Sequence, residues 1–404
     1  MVFAEIIIAL LLGILVGIFT GLTPGIHINL VSALVVGFSG YLLGITSALS
    51  LAVFIISMGV THTFLDSIPS IFLGAPDADM VMGVLPGHRL LLEGRGYEAV
   101  KLTVIGSLLS LIGTLFLVII MLPFVPVMYN FIRPYLGYIM IIVVIYMIAK
   151  EGSISKSLWA VFVFFISGIL GIIVLGWPNL SEPLLPMLSG LFGISTLLTS
   201  LMQKVKIPKQ RITETIKVDF GKKVKAIVAA VLSGSFAGFM PGLGSAQAAI
   251  IAMQFAGNIG DYAFLILVGG INTVNFVFSL ATFYSMQKAR NGAVVAIMEI
   301  MNNISFEQLM VFLFVALIAG CIATLLTMYF TRIFSGLIVK VNYRVLCIII
   351  IGFVSLMVAF FSGFTGLLVL ITSTAIGIIP PLIGVKRSNA MGCLLLPVIL
   401  FFIL

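Results

Sequence analysis

The sequence predicts an all-α polytopic membrane protein of roughly 10–14 transmembrane helices in two inverted repeats. Three observations carry that expectation. Of 404 residues, 61% are hydrophobic and only 8% are charged, with a mean hydropathy of +1.30; soluble domains carry about 25% charged residues. The pattern G-x-F-x-G-x-x-P-G occurs twice, from Gly17 to Gly25 and from Gly234 to Gly242. Between the copies lies the densest basic stretch: Lys204, Lys206, Lys209, Arg211, Lys217, Lys222, Lys223 and Lys225, against Glu214 and Asp219.

The elements follow in order. No basic n-region precedes the first apolar run, and Glu5 sits just ahead of it, so no cleavable signal peptide is expected. Apolar runs predict spans near residues 3–23, 26–44, 45–65, 99–122, 133–150, 158–177 and 184–202. The second half adds 226–240, 243–259, 262–283, 308–330, 345–361, 364–383 and 388–404. The basic stretch joins two hydrophobic halves, so it reads as a cytoplasmic loop under the positive-inside rule rather than a nucleic-acid site. The chain therefore divides into a first transmembrane repeat (1–202), a basic cytoplasmic linker (203–225) and a second repeat (226–404). An odd number of crossings before the linker puts the N-terminus outside, so the repeats start on opposite sides. Arg89, Arg95, Lys101, Lys150, Lys156, Arg332, Lys340, Arg344, Lys386 and Arg387 then fall inside. Arg133, Lys288 and Arg290 fall outside. Cys321, Cys347 and Cys393 lie in separate apolar runs, and no disulfide framework, metal or cofactor is expected. Without a Walker-type phosphate loop, direct ATP coupling is not expected either.

The repeated pattern locates the candidate site. Pro removes a backbone donor and Gly admits angles closed to other residues, so each Pro-Gly pair predicts a broken helix or re-entrant hairpin. Exposed backbone at membrane depth is tolerated only inside protein or beside a wet cavity, and one break per half points to a site between repeats. A helix restarting beyond a break turns its free N–H groups and positive dipole end back toward it, which suits carboxylate or phosphate. The candidate substrate-binding residues are Thr23, Pro24, Gly25, His27 and Asn29, with Pro241, Gly242, Gly244, Ser245 and Gln247. The glycines have an alternative role in tight helix packing.

Beyond each break, residues 57–76 and 269–290 mix polar with apolar side chains and read as a helix followed by a bent or re-entrant segment. There His62, Asp66, Ser67, Asn272, Thr273 and Asn275 are candidate ion or substrate contacts. His62 and Asp66 lie four apart and share a helix face; a hydrogen bond between them is favoured over a metal or proton-relay role. Na⁺ or H⁺ is the candidate coupling ion. The polar stretch 83–99 reads as a solvated connecting loop, with His88, Arg89, Glu93 and Arg95 as candidate contacts at the cytoplasmic mouth.

Four stretches, in order, resemble the TctA-type large permease of tripartite tricarboxylate transporters. They are Gly17 to Gly25, Ser70 to Pro76 with Leu85 to Ala99, Ser189 to Ser195, and Gly238 to Gly244. The chain departs from the family pattern at Thr61-His62-Thr63-Phe64 in place of a Gly-Gly pair, and at Ala75-Pro76-Asp77 in place of a Pro-Gly tip. It thus looks like a divergent and short member. The resemblance implies a permease rather than an enzyme, in the cytoplasmic membrane of a prokaryote. It also implies a small membrane subunit and an extracytoplasmic solute-binding protein as partners.

The expected function is secondary-active transport of a small organic anion, plausibly a di- or tricarboxylate, by alternating access coupled to an ion gradient. Its partners would be that anion and membrane lipid, with a homo-oligomer as an open alternative. Two other classes fit the same residues. One is a translocase for a lipid-linked phosphate, whose head group would use the same helix ends. The other is an intramembrane enzyme built on His27, His62 and Asp66.

Overall fold

The computed structural model describes residues 2–24, 26, 28–74, 79–202, 207–240, 243–340 and 342–404. Every regular element among them is helical. The first half forms α1 (Val2–Leu22), α2 (Ile28–Gly37), α3 (Ser39–Leu42), α4 (Ala48–Leu65), α5 (Val81–Leu92), α6 (Gly96–Met121), α7 (Val125–Ile132), α8 (Leu136–Ala149), α9 (Ile154–Leu175), α10 (Leu184–Leu188) and α11 (Ser195–Met202). The second forms α12 (Phe220–Phe239), α13 (Ser245–Ala256), α14 (Gly260–Met286), α15 (Gly292–Met301), α16 (Phe306–Leu337), α17 (Tyr343–Ile383) and α18 (Gly392–Ile403).

Among the described residues, eight helical stretches are long and apolar enough to cross a membrane, and six apolar helices are shorter. Five of the expected spans, near 26–44, 184–202, 226–240, 243–259 and 388–404, are not among the eight. The runs near 26–44 and 243–259 give only α2 and α13, of 10 and 12 residues, because each restarts after a Pro-Gly pair. The loop expected at 83–99 is also revised. Val81, Val84 and Leu91 recur at helical spacing and are buried, so α5 forms despite Pro86. α15 is likewise unexpected, and Asn291 caps it by accepting a hydrogen bond from the Val294 N–H at 2.8 Å. α17 breaks in two at Gly363 (φ 62°), where the sequence separates two spans.

α4 and α14 are the centre of the molecule, with 94% of the apolar window of α14 and 83% of that of Ala48–Leu73 buried. They cross antiparallel: Gly59 packs on Phe276, Thr63 meets Thr273, and Asp66 meets Asn272. α1 runs parallel to α4 along a glycine seam. A Cβ on Gly17 would fall 2.7 Å from the Met58 carbonyl oxygen, and one on Gly21 would fall 2.8 Å from Leu65 Cβ. α12 repeats this on α14, where a Cβ on Gly234 would fall 2.8 Å from Val274 and one on Gly238 would fall 3.0 Å from Phe278. Gly17, Gly21, Gly234 and Gly238 are therefore packing residues, and small-x-x-x-small spacing is what allows the close approach. The halves are interlocked: α6 covers α14, and α16 covers α4.

The linker is laid down along the α5–α6 turn. The Arg211 N–H donates to the Gly94 carbonyl at 2.8 Å. Gln210 Oε1 accepts from the Gly96 N–H at 2.8 Å, and its Nε2 donates to the Leu91 carbonyl at 3.0 Å. Thr213 and Tyr262 hydroxyls both donate to the Glu98 carboxylate, at 2.7 and 2.6 Å. One end of the molecule is thereby marked as the linker side.

Candidate functional site

The site begins at the α4–α14 crossing. A buried polar group without a partner costs about 1–3 kcal/mol, so polar side chains on enclosed helices must find one another. Asn272 Nδ2 donates to Asp66 Oδ2 at 2.7 Å, and the Thr63 and Thr273 hydroxyls lie 3.2 Å apart. From here the polar line turns toward both Pro-Gly breaks. His62 Nδ1 lies 3.1 Å from Thr20 Oγ1 near the end of α1, and Asn275 Nδ2 donates to Ser245 Oγ at 3.2 Å in the first turn of α13. His62 and Asp66 each find a partner on another helix. The Ser67 hydroxyl donates to the Phe64 carbonyl of its own chain segment at 2.7 Å.

Four short helices pair their N-termini on the two central helices. Asn29, in the first turn of α2, packs against Gly292 at the start of α15, and both helices lie on α4. Gly244, which precedes α13, faces the carboxylate of Asp79 ahead of α5, and these two helices lie on α14. Gln247 Oε1 accepts from the Gly244 N–H at 3.0 Å, so it serves as a cap. Thr23 and Pro24 close α1, and the Ile26 N–H donates to the Thr23 carbonyl at 3.3 Å. Gly25, His27, Pro241 and Gly242 lie outside the described residues.

On the linker side a cavity of about 410 Å³ opens between α5, the α13–α14 turn and the segment before α18. Arg89, Lys386 and Arg387 stand in its wall with Asp261 and Phe192. Arg89 pairs with Asp261 at 3.0 Å. Arg387 Nη1 donates to the Ser195 hydroxyl at 3.4 Å and to that of Thr196, and among the described residues no carboxylate pairs with it. Burial pushes the Arg387 guanidinium down to about 10, which leaves it charged at neutral pH. The turn that carries it is pinned: Asn389 Nδ2 donates to Glu151 Oε1 at 2.8 Å, and the Lys386 N–H donates to the same oxygen at 3.3 Å. A π-helical turn, Ser189–Ile194, lays Gly190 against Ser373 of α17 and so delivers Ser195 and Thr196 to the guanidinium.

Sequence reasoning placed Arg387 only as an inside charge, because its partners are 191 and 192 residues away. The Ser189 to Ser195 motif was the available signal. Chemically, the arrangement offers a cationic mouth, a deep hydrogen-bonding line and paired helix N-termini on the two central helices. Among the described residues no group of three His, Cys, Asp or Glu side chains is placed to hold a metal.

These features define a multi-pass membrane protein of a transport family. The family model of the tripartite tricarboxylate transporter TctA family matches residues 7–392, and the chain belongs to that family. It is also similar to an uncharacterized protein of Methanocaldococcus jannaschii, with 33% identity over 404 residues covering 98% of each chain. No solved structure matches.

Proposed function

We propose that this chain is a permease that carries a small organic anion, a di- or tricarboxylate, by alternating access driven by a Na⁺ or H⁺ gradient. The observation that supports it best is the pairing of four short-helix N-termini on the two central helices, α2 with α15 on α4 and α13 with α5 on α14. Helix N-termini favour anions, and short broken helices from both halves are how many secondary transporters build a central site. The repeats would be inverted, with the antiparallel α4 and α14 as equivalent elements. The cationic cavity on the linker side would hold the anion on its way to the cytoplasm, since a walled, basic cleft raises local anion concentration. Asp66 would bind the coupling cation. A small membrane subunit and an extracytoplasmic solute-binding protein would complete the system in a prokaryotic cytoplasmic membrane.

The test is uptake of labelled citrate and succinate into proteoliposomes holding this chain, with imposed Na⁺ or H⁺ gradients. Gradient-dependent uptake is the expected result. Folded protein that accumulates neither anion, even with its partner proteins supplied, sinks the reading.

A further inference from the structure

The end of the molecule away from the linker carries a second basic cluster. α6 and α14 run parallel, Gly106 packed on Ile266 and Gly270 on Ser110. Their first turns meet at Glu98 and Tyr262 beside the linker, so their far ends lead to α7 and to the loop between α14 and α15. There three cations gather over one buried ring. Lys288 Nζ, the Arg290 guanidinium and the Arg133 guanidinium lie 4.8, 5.2 and 5.9 Å from the centroid of Tyr129. Among the described residues no carboxylate pairs with any of them. Like charges held this close repel one another, and the tyrosine face offsets only part of that.

Arg290 is the informative member. Its Nε and Nη2 are buried and have no hydrogen-bond partner among the described residues. Those two donors form one edge of the guanidinium, the fork that matches the two oxygens of a carboxylate. The next residue adds a third donor: Asn291 Nδ2 is also buried without a partner, while Asn291 Oδ1 is engaged in capping α15. A buried donor is costly until an acceptor meets it. All three are donors, so the group that suits them is an acceptor with at least two oxygens.

We infer that Arg290 binds substrate, its Nε–Nη2 fork taking one carboxylate of the transported anion on the side opposite the linker, with Asn291 Nδ2 as third donor. This rests on the permease reading above. Tyr129 holds the guanidinium with its ring and a side-chain hydrogen bond, and Lys288 adds positive charge beside it. The polar crossing then has a cationic station at each mouth, Arg387 on one side and Arg290 on the other.

The experiment is calorimetric binding of citrate and succinate to purified wild type, R290Q, R290K and R133Q. R290Q is expected to weaken binding by about ten- to a hundredfold. R290K keeps the charge but not the fork, and about a fivefold loss or more is expected to remain. R133Q, in the cluster but off the fork, should change affinity by no more than about threefold. Tight binding by wild type and R290Q alike overturns the assignment and leaves the permease reading standing. Neither binding nor uptake by wild type overturns both. A fold defect in the Arg290 variants moves the decision to phenylglyoxal labelling of wild type, read by peptide mass spectrometry. Citrate should then protect Arg290, and undiminished labelling at saturating citrate overturns the inference.

Discussion

Asp66 is the residue whose chemistry most constrains this molecule. A carboxylate is expensive inside a bilayer, and the amide of Asn272 at 2.7 Å offsets part of that cost. Asp66→Leu would leave Asn272 with an unmet donor, and about 1–3 kcal/mol of stability should go with it, visible as a lower unfolding temperature in detergent. Asp66→Asn keeps the shape and a hydrogen bond to position 272. That variant should melt near wild type yet lose gradient-driven uptake, if Asp66 holds the coupling cation as proposed. Preserved gradient dependence in a folded Asp66→Asn protein would remove Asp66 from that role. Arg387 makes a parallel case at the linker-side mouth. Arg387→Gln should raise the KM for anion efflux from inside-loaded vesicles about tenfold, the usual scale for one charge-assisted contact, with little change in melting temperature. A collapse of stability with unchanged KM would mark it as a structural residue only.

At the scale of elements, the molecule depends on two glycine seams. Large side chains there would force α1 off α4 or α12 off α14. Gly17→Ala should cost about 1–3 kcal/mol through overpacking, read as a lower melting temperature. Gly37→Ala is the matched control, because a Cβ at Gly37 meets nothing within 4 Å. Equal melting of the two variants would mean that the seam is not closed in the folded protein. The seams were visible in the sequence as G-x-x-x-G spacing, and so were the Pro-Gly breaks that follow. The short helices were less visible. α5 carries Pro86, His88 and Arg89 within 12 residues, so its apolar face is diluted below what a hydropathy window detects. α15 hides behind the charged loop Lys288–Arg290 in the same way. Local pattern reveals which segments are helical, but the partner of a polar side chain is settled by tertiary contact. This is why His62 and Asp66 could be picked out as candidate contacts while Thr20 and Asn272 could not be assigned to them.

For the whole molecule, the two halves do not form separate bodies. Each central helix is covered by a long helix from the other half, and the linker is tied to the first half through Gln210. Replacing Gln210 by Ala removes bonds to Gly96 and Leu91, and limited proteolysis should then cut the linker severalfold faster than in wild type. Unchanged cutting would show that Gln210 is not what holds it. The fold class was legible because composition acts over long stretches of chain. The two basic mouths were not, because Arg387 and Arg290 become neighbours of Thr196 and Tyr129 only in the folded chain.

The interlocked arrangement also bears on how the protein is made. Asp66 and Asn272 are 206 residues apart, and a ribosome adds about 5–20 residues per second. The carboxylate of Asp66 therefore leaves the ribosome about 10–40 s before its partner exists. During that interval α4, the helix that ends up among the most enclosed, has neither α14 nor α16 around it. Its polar face must be sheltered meanwhile by water at the insertion site, by α1, or by an insertase that retains early helices. Assembly of this membrane protein thus ends, rather than begins, with its core.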